Sequence, residues 1–285
     1  MKIKRRNYGS AARNATRLSI AVASATARAV RRTPSTIPAL RSLNNIIRGI
    51  SERFIGDRAP ILIYGLQRSG TNFLHKIVSS QLHVVIKNSD ADRSHPRQKH
   101  FRIFDDKSRI SATGYHNNKT YRDFNEFEAE FSSAPIAYLV ISKDPYSWIL
   151  SYKKWAKKCG WPEFSADPID DYVSFYGKWL QFAAQTDKIF FVRYVDLLRD
   201  PTAALLPFAK RVEATTGKSP TKSLRRPVKV PQSPAYSLAS DTVHLDKQYL
   251  LAYSTEDMIS INAKLDHSVM DGLGYDIEPP RHAGK

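Results

Sequence analysis

Cysteine is almost absent from this chain: Cys159 is the single thiol in 285 residues. One cysteine excludes an intrachain disulfide framework, so the fold must rest on its apolar core, and it is compatible with a reducing compartment. Acids are missing from residues 1–32 altogether. Across residues 1–57, twelve Lys/Arg face only Glu52 and Asp57, a net of +10, which leaves +7 of the total +17 for the other 228 residues. Long apolar runs are missing too. The most apolar part of the N-terminal segment, Leu18 to Ala27, is too short and too rich in Ala and Ser to cross a bilayer. What is present is a body with 42% apolar residues, enough for a sizeable core, on a strongly basic extension. A mildly basic body suits an anionic ligand.

Residues 1–57 read as that extension and residues 58–285 as one domain. In the extension, Arg13, Arg17, Arg28 and Arg31 fall on one helical face, and Ala15, Leu18, Val22, Ala25 and Ala29 on another. Such a helix can lie on an anionic membrane surface. The same Arg/Ser/Ala composition fits a transit peptide, a weak secretory signal or a disordered basic tail. Residues 33–38 (Thr33, Pro34 and Pro38 among them) are a linker by composition. Leu40, Leu43, Ile47, Ile50 and Phe54 mark a second amphipathic helix. The expected localisation is cytoplasmic, with peripheral membrane attachment through residues 1–57 as the alternative to a free protein.

Within the body, strand-like and helix-like segments alternate. Apolar runs at 61–64, 84–86, 135–142 and 188–194 read as strands, the third buried on both faces. Helical spacing follows at Phe73, Leu74, Ile77 and Val78. A second helix starts at Asp144-Pro145, where Asp caps and Pro takes the first turn. Further helices are expected over 126–131, 169–185, 196–212 and 255–270, with 217–234 a Pro-rich loop. Strands alternating with helices imply a single α/β domain of three layers, with a central parallel sheet and helices on both faces.

The stretch between the first strand and its helix carries the chemistry. Gly65 and Gly70 bound a tight loop, Gly65-Leu66-Gln67-Arg68-Ser69-Gly70-Thr71-Asn72. A strand, a glycine-bounded loop and a helix N-terminus point backbone N–H groups at a phosphate. The nucleoside-triphosphate version of this loop is G-x-x-x-x-G-K-[ST], with Lys on the β/γ-phosphates and a hydroxyl on magnesium. Here Thr71 stands in the Lys position and Asn72 in the hydroxyl position. The cation has moved inside the loop, to Arg68. The loop can hold a phosphate but is poorly built for magnesium-dependent nucleotide chemistry.

Followed by an aromatic at Phe73, this loop resembles the 5′-phosphosulfate loop of the sulfotransferases that use 3′-phosphoadenosine 5′-phosphosulfate (PAPS). The resemblance spans about residues 60–275 and implies a P-loop-type fold, PAPS as co-substrate and no metal. Gln67, Arg68, Ser69, Gly70, Thr71 and Asn72 would hold the 5′ end, and Arg68 would neutralise charge on the bridging oxygen as the S–O bond breaks. Lys143, after the third strand, and Ser151, eight residues on, resemble the family's 3′-phosphate pair, with Lys in place of the usual Arg. Pro96 to Phe101 resembles the segment carrying a catalytic Lys and His. Here Lys99 and His100 are adjacent rather than one residue apart, so only one of them points at the acceptor. A neutral His can take the acceptor's hydroxyl proton. Tyr194 and Phe73 match the positions that border adenine, and both also suit a plain core. Val195 replaces the acid of the family's Tyr-Glu-Asp-Leu stretch. Leu273-Gly274-Tyr275 resembles the family's ending. The family's C-terminal R-K-G signature is missing, and Arg225, Arg226 and Lys229 are the nearest substitutes by charge and position.

The implied activity is transfer of a sulfuryl group from PAPS to a hydroxyl, or an amine, of an acceptor such as a carbohydrate, a lipid-linked glycan or a small alcohol, leaving PAP. Two other classes stand beside it. A P-loop kinase or NTPase would need Mg²⁺ and a loop Lys. A non-catalytic membrane-associated protein would act through residues 1–57. No nucleic acid is expected as a partner, since the body carries no recognisable nucleic-acid-binding module.

Overall fold

The computed structural model describes residues 57–88, 95–103, 119–159, 167–220, 223–227 and 238–280. The expectations for the basic extension, its linker and its two amphipathic segments lie outside the described residues, as does that for Lys229. All described residues fall in one unit, Asp57–Lys285.

Four strands form one parallel sheet: β1 (Ala59–Tyr64), β2 (Val84–Ile86), β3 (Ala137–Ser142) and β4 (Ile189–Arg193), in the order β2-β1-β3-β4. Tyr64 pairs with Val140, and Ser142 with Arg193. Alternation along the strands divides the core into two layers. Leu62, Tyr64, Tyr138 and Val140 face one layer; Ile61, Ile63, Leu139 and Ile141 face the other. All six residues of β3 are buried, because helices cover the sheet on both sides.

Helix α1 (Thr71–Gln81) puts Phe73, Leu74, Ile77 and Val78 into the second layer. The first layer takes the aromatic faces of α3 (Pro145–Lys158) and α4 (Pro168–Ala183), including fully buried Trp148 and Trp179. Side chains of this size each contribute about 1.5–3 kcal/mol on burial. Between β2 and β3 lies α2 (Phe124–Glu128), capped by Asp123, two residues ahead of the expected start.

Two expected helices are broken by capping acids. After β4 the chain runs as α5 (Tyr194–Arg199), α6 (Pro201–Ala204) and α7 (Leu206–Thr216). Asp200 accepts from the Thr202 and Ala203 N–H groups and restarts the helix, while Pro201 has no N–H to continue the earlier one. Near the C-terminus, α9 (Thr255–Asn262) and α10 (His267–Leu273) replace one continuous helix, because Asp266 caps the Ser268 and Val269 N–H groups. Met258, Ile261, Leu265 and Val269 are buried across that break. Helix α8 (Leu238–Leu245) and a 3₁₀ turn (Gln248–Ala252) fill a stretch without a sequence expectation. No helix among the described residues is long and apolar enough to cross a membrane.

The strand order reverses at β1. The chain leaves it for β2 on one side and returns to β3 on the other, so a crevice opens beyond the carboxyl ends of β1 and β3. Ligands of open parallel sheets bind at such a point.

Candidate phosphate-binding site

Both segments that leave this crevice are shaped by local sequence. After β1, Gly65 has no room for a side chain: a Cβ there would lie 2.8 Å from the Ile141 carbonyl oxygen and 2.6 Å from Ser69 Oγ. Gly70 has φ 104°, and a Cβ there would meet the Tyr194 ring at 2.6 Å. Arg68 adopts φ 70°, a left-handed conformation rare for a side-chain-bearing residue. These turns bring the loop back on itself and place Gly70 as the N-cap of α1. The N–H groups of Thr71 and Asn72 find no acceptor among the described residues, as helix geometry dictates for a first turn. Arg68 is exposed at the loop tip, whereas Gln67, Ser69 and Thr71 are buried. Trp148 Nε1 donates to the Gln67 carbonyl at 2.8 Å and pins the loop to α3.

After β3, Asp144 caps α3 by accepting from the Tyr146 and Ser147 N–H groups at 3.1 and 3.2 Å. This cap fixes the direction in which Lys143 leaves the sheet. Lys143 Nζ donates to Ser151 Oγ at 2.8 Å, two turns into the helix, and sits 5.4 Å from the centre of the Tyr194 ring. Burial and, after it, the Arg68 charge bring its pKa down to about 7, so the two cations share one field. Burial likewise raises the Asp144 carboxyl to about 6.

A cavity of about 170 Å³ opens beside Lys143, lined also by Tyr194, His244, Arg193 and Tyr249. His244 on α8 contacts Ser147 Oγ through Nδ1 at 3.1 Å and meets the Tyr194 ring edge-on. Burial, with the Lys143 charge, brings its pKa to about 3, so it is neutral near pH 7. The loop 65–70 does not line this cavity; the Tyr194 ring, which lies against Gly70, is part of its wall.

The segment from His95 to Ile103 crosses the crevice from the β2 side. Gly65 N–H donates to the Lys99 carbonyl at 3.1 Å, and the Tyr64 hydroxyl donates to the Pro96 carbonyl at 2.6 Å. Asn88 Nδ2 donates to the Arg97 carbonyl at 3.0 Å. Lys99 Nζ donates to Asn72 Oδ1 at 3.0 Å and so reaches the first turn of α1. The partly buried His100 ring places Nδ1 2.7 Å from the Gly65 carbonyl. A carbonyl only accepts, so Nδ1 carries the hydrogen and Nε2 keeps its lone pair. Burial, against the opposing Gly65 hydrogen bond and with the Lys99 and Arg102 charges, brings the His100 pKa down to about 3.

The expected residues thus separate into those gathered at one place and those that are not. Gln67 to Asn72, Lys99, His100, Lys143, Ser151 and Tyr194 surround the carboxyl ends of β1 and β3. Phe73 is 2% exposed and packs edge-on against Tyr194 at 5.6 Å, within the second core layer. It is a core residue that backs Tyr194. Arg225 is not brought to the loop: its backbone exchanges two hydrogen bonds with the Gln81 side chain, at the opposite end of α1 from Gly70. The Pro-rich chain is anchored there by Leu224, which is buried in the second layer. Arg226 instead donates to Asp241 at 2.5 Å, on the helix that carries His244.

No protein-family model, curated protein or solved structure matches this chain. The chemistry of the site therefore has to be read from the site itself. The helical pattern after Pro145 places Trp148 on a buried face but does not show that it holds the loop, and Arg102, Asp171 and His244 were not singled out from the sequence. Their partners lie 81, 35 to 69 and 97 residues away, beyond any periodic pattern.

Proposed function

We propose that this protein transfers a sulfuryl group from PAPS to a hydroxyl of an acceptor, within a P-loop-type α/β domain. The observation that carries the reading is the pairing of two cationic devices across one crevice. A glycine-bounded loop with Arg68 and free helix N–H groups lies on one side, and Lys143 with Ser151 on the other. Two separate cationic devices at the ends of neighbouring strands suit a ligand with an anion at each end, as a 3′,5′-bisphosphorylated adenosine is. A lone phosphate would need only one of the two devices.

The residues fit such a ligand on three physical counts. The two glycine positions admit no side chain, which lets the loop turn tightly from β1 into the N-terminus of α1, where N–H groups can face an anion. Ser69 Oγ is fully buried inside the loop near the Tyr176 hydroxyl and makes no well-formed hydrogen bond among the described residues, and a buried hydroxyl of that kind costs free energy until it is better paired. Lys143 is held in a site where its charge is disfavoured by burial and by Arg68, a penalty that a bound anion would relieve.

In this reading Arg68 stabilises charge that develops on the leaving oxygen, an effect commonly worth about 3–4 kcal/mol. His100, held with Nε2 unprotonated by the Gly65 carbonyl, accepts the acceptor's proton. Lys99 spans from the His100 segment to Asn72 and holds the loop and that segment at fixed separation. PAPS supplies the activated sulfuryl group; the protein supplies position and charge. The α/β-kinase alternative fares less well, because Thr71 and Asn72 leave the loop without its Lys and hydroxyl.

Isothermal titration calorimetry with purified protein tests the reading. Micromolar or tighter binding of 3′,5′-ADP without Mg²⁺, and weaker binding of ATP with Mg²⁺, supports it. No heat with 3′,5′-ADP, or the reverse order of affinities, refutes it. Incubation with ³⁵S-labelled PAPS and host extract then identifies the acceptor.

A further inference from the structure

Arg102 is 1% exposed and bears a full charge. Its guanidinium joins two other chain segments to its own. Nε and Nη2 donate to Asp171 Oδ1 and Oδ2 of α4 at 2.6 and 2.5 Å, a two-pronged pair. Nη2 also donates to Gln67 Oε1 at 3.1 Å, inside the loop. Nη1 lies 3.3 Å from the His100 carbonyl. The Asp171 side chain is itself only 9% exposed. Burying an ion pair is costly, and an apolar pair of equal volume often stabilises a core as well or better. The arrangement is therefore poorly explained by stability alone. It is well explained by geometry, since only an arginine offers a planar fork of five donors that can serve three acceptors at once.

We propose that Arg102 is a positioning residue: anchored by Asp171, it locks the Gln67 side of the phosphate loop to the His100 backbone and so sets the orientation of the His100 ring. The functional importance of this rests on the sulfuryl-transfer reading; the locking itself does not. Other contacts hold the same unit from the opposite side. The Gly65 N–H to Lys99 carbonyl bond and the His100 Nδ1 to Gly65 carbonyl bond close a small ring of backbone around the strand end. Trp148 fixes the Gln67 carbonyl while Arg102 fixes its side chain. Loss of Arg102 would release the Gln67 side chain and the His100 carbonyl together. A lysine cannot replace it, because one ammonium cannot bridge Asp171, Gln67 and His100 in this layout.

The test uses the full chain with ¹⁵N-labelled histidine and reads the His100 ring by NMR, with Arg102→Lys, Asp171→Asn and the apolar double variant Arg102→Met/Asp171→Leu. The double variant leaves no unpaired buried charge, so it keeps the test open where a single change prevents folding. In the wild type the ring is expected as the neutral Nδ1–H tautomer across pH 5–8. In the variants the Nε2–H tautomer should appear, and in the double variant, which loses the Arg102 charge together with the fixed geometry, the ring's proton affinity should rise at least about tenfold. A purely structural Arg102 would lower the melting temperature and leave the ring signature as it was; an unchanged tautomer and titration in the folded double variant overturns the proposal. Binding of 3′,5′-ADP to the wild type, measured in parallel, tests the functional reading separately, so the two can fail independently.

Discussion

The Lys143 ammonium donates to the Ser151 hydroxyl at 2.8 Å inside a site where burial holds its pKa at about 7. An anion at this position should restore the charge, so binding of 3′,5′-ADP should take up protons at pH 8. Affinity is then expected to fall above pH 7, by up to about tenfold per pH unit, as a proton must be supplied first. Calorimetry between pH 7 and 9, in buffers of different ionisation enthalpy, measures both effects. Lys143→Arg should remove the alkaline loss, since a guanidinium stays charged throughout. A pH-independent affinity in the wild type would contradict this account.

The same lysine makes a prediction about stability with a definite sign. Its folded pKa of about 7 lies below the ordinary 10.5. Between these values the unfolded chain binds a proton that the folded chain does not, so this group's contribution to stability rises with pH across that window. Below pH 7 the charge is fully buried and its cost is greatest. Lys143→Met should therefore weaken 3′,5′-ADP binding yet raise the melting temperature at pH 6 by roughly 3 °C, the shift that about 1 kcal/mol produces in a domain of this size. The gain should shrink by pH 10. Differential scanning calorimetry at both pH values checks it.

These predictions start from a pair that was legible in the sequence, and the reason is physical. Lys143 and Ser151 are eight residues apart, with Asp144-Pro145 between them fixing a helix start, so the pair that the resemblance implies is also one that local geometry allows to meet. The glycine positions of the loop were legible for the same reason. Arg102 was not. Flanked by Phe101 and Ile103, it gives no sign that it is buried, and Asp171 is 69 residues away on α4. The breaks at Asp200 and Asp266 lay in plain view as capping residues, but an apolar pattern that continues across a break hides it. Arg225 misled because charge and loop position say nothing about which end of α1 a Pro-rich chain packs against. Gln81 decides that, through its side chain.

His100 carries a prediction that differs from the ordinary behaviour of a histidine base. With its pKa at about 3, it is neutral over the whole working range. The kcat/KM profile of the free protein should show no loss of activity near pH 6.5 attributable to this ring. His100→Ala should lower sulfuryl transfer from PAPS by about 10²–10⁴-fold, the usual worth of a positioned base, while 3′,5′-ADP affinity changes by less than about threefold. A variant that transfers normally but no longer binds 3′,5′-ADP would move His100 out of this role and into ligand binding.

Arg68 combines a strained backbone with a charge, and the two can be separated. Its φ of 70° costs a side-chain-bearing residue about 1 kcal/mol that glycine does not incur. Arg68→Gly and Arg68→Ala remove the same cation, so both should lower transfer by about 10²–10³-fold. They should differ in stability, with the glycine variant more stable than the alanine variant by about 1 kcal/mol in urea denaturation. Both should also raise the Lys143 pKa, because the charge that lowers it is gone. The alkaline loss of 3′,5′-ADP affinity should accordingly begin at a higher pH in either variant than in the wild type. If both variants bind and transfer as the wild type does, the loop cation has no part in the reaction, and the crevice holds its ligand by Lys143 and the backbone alone.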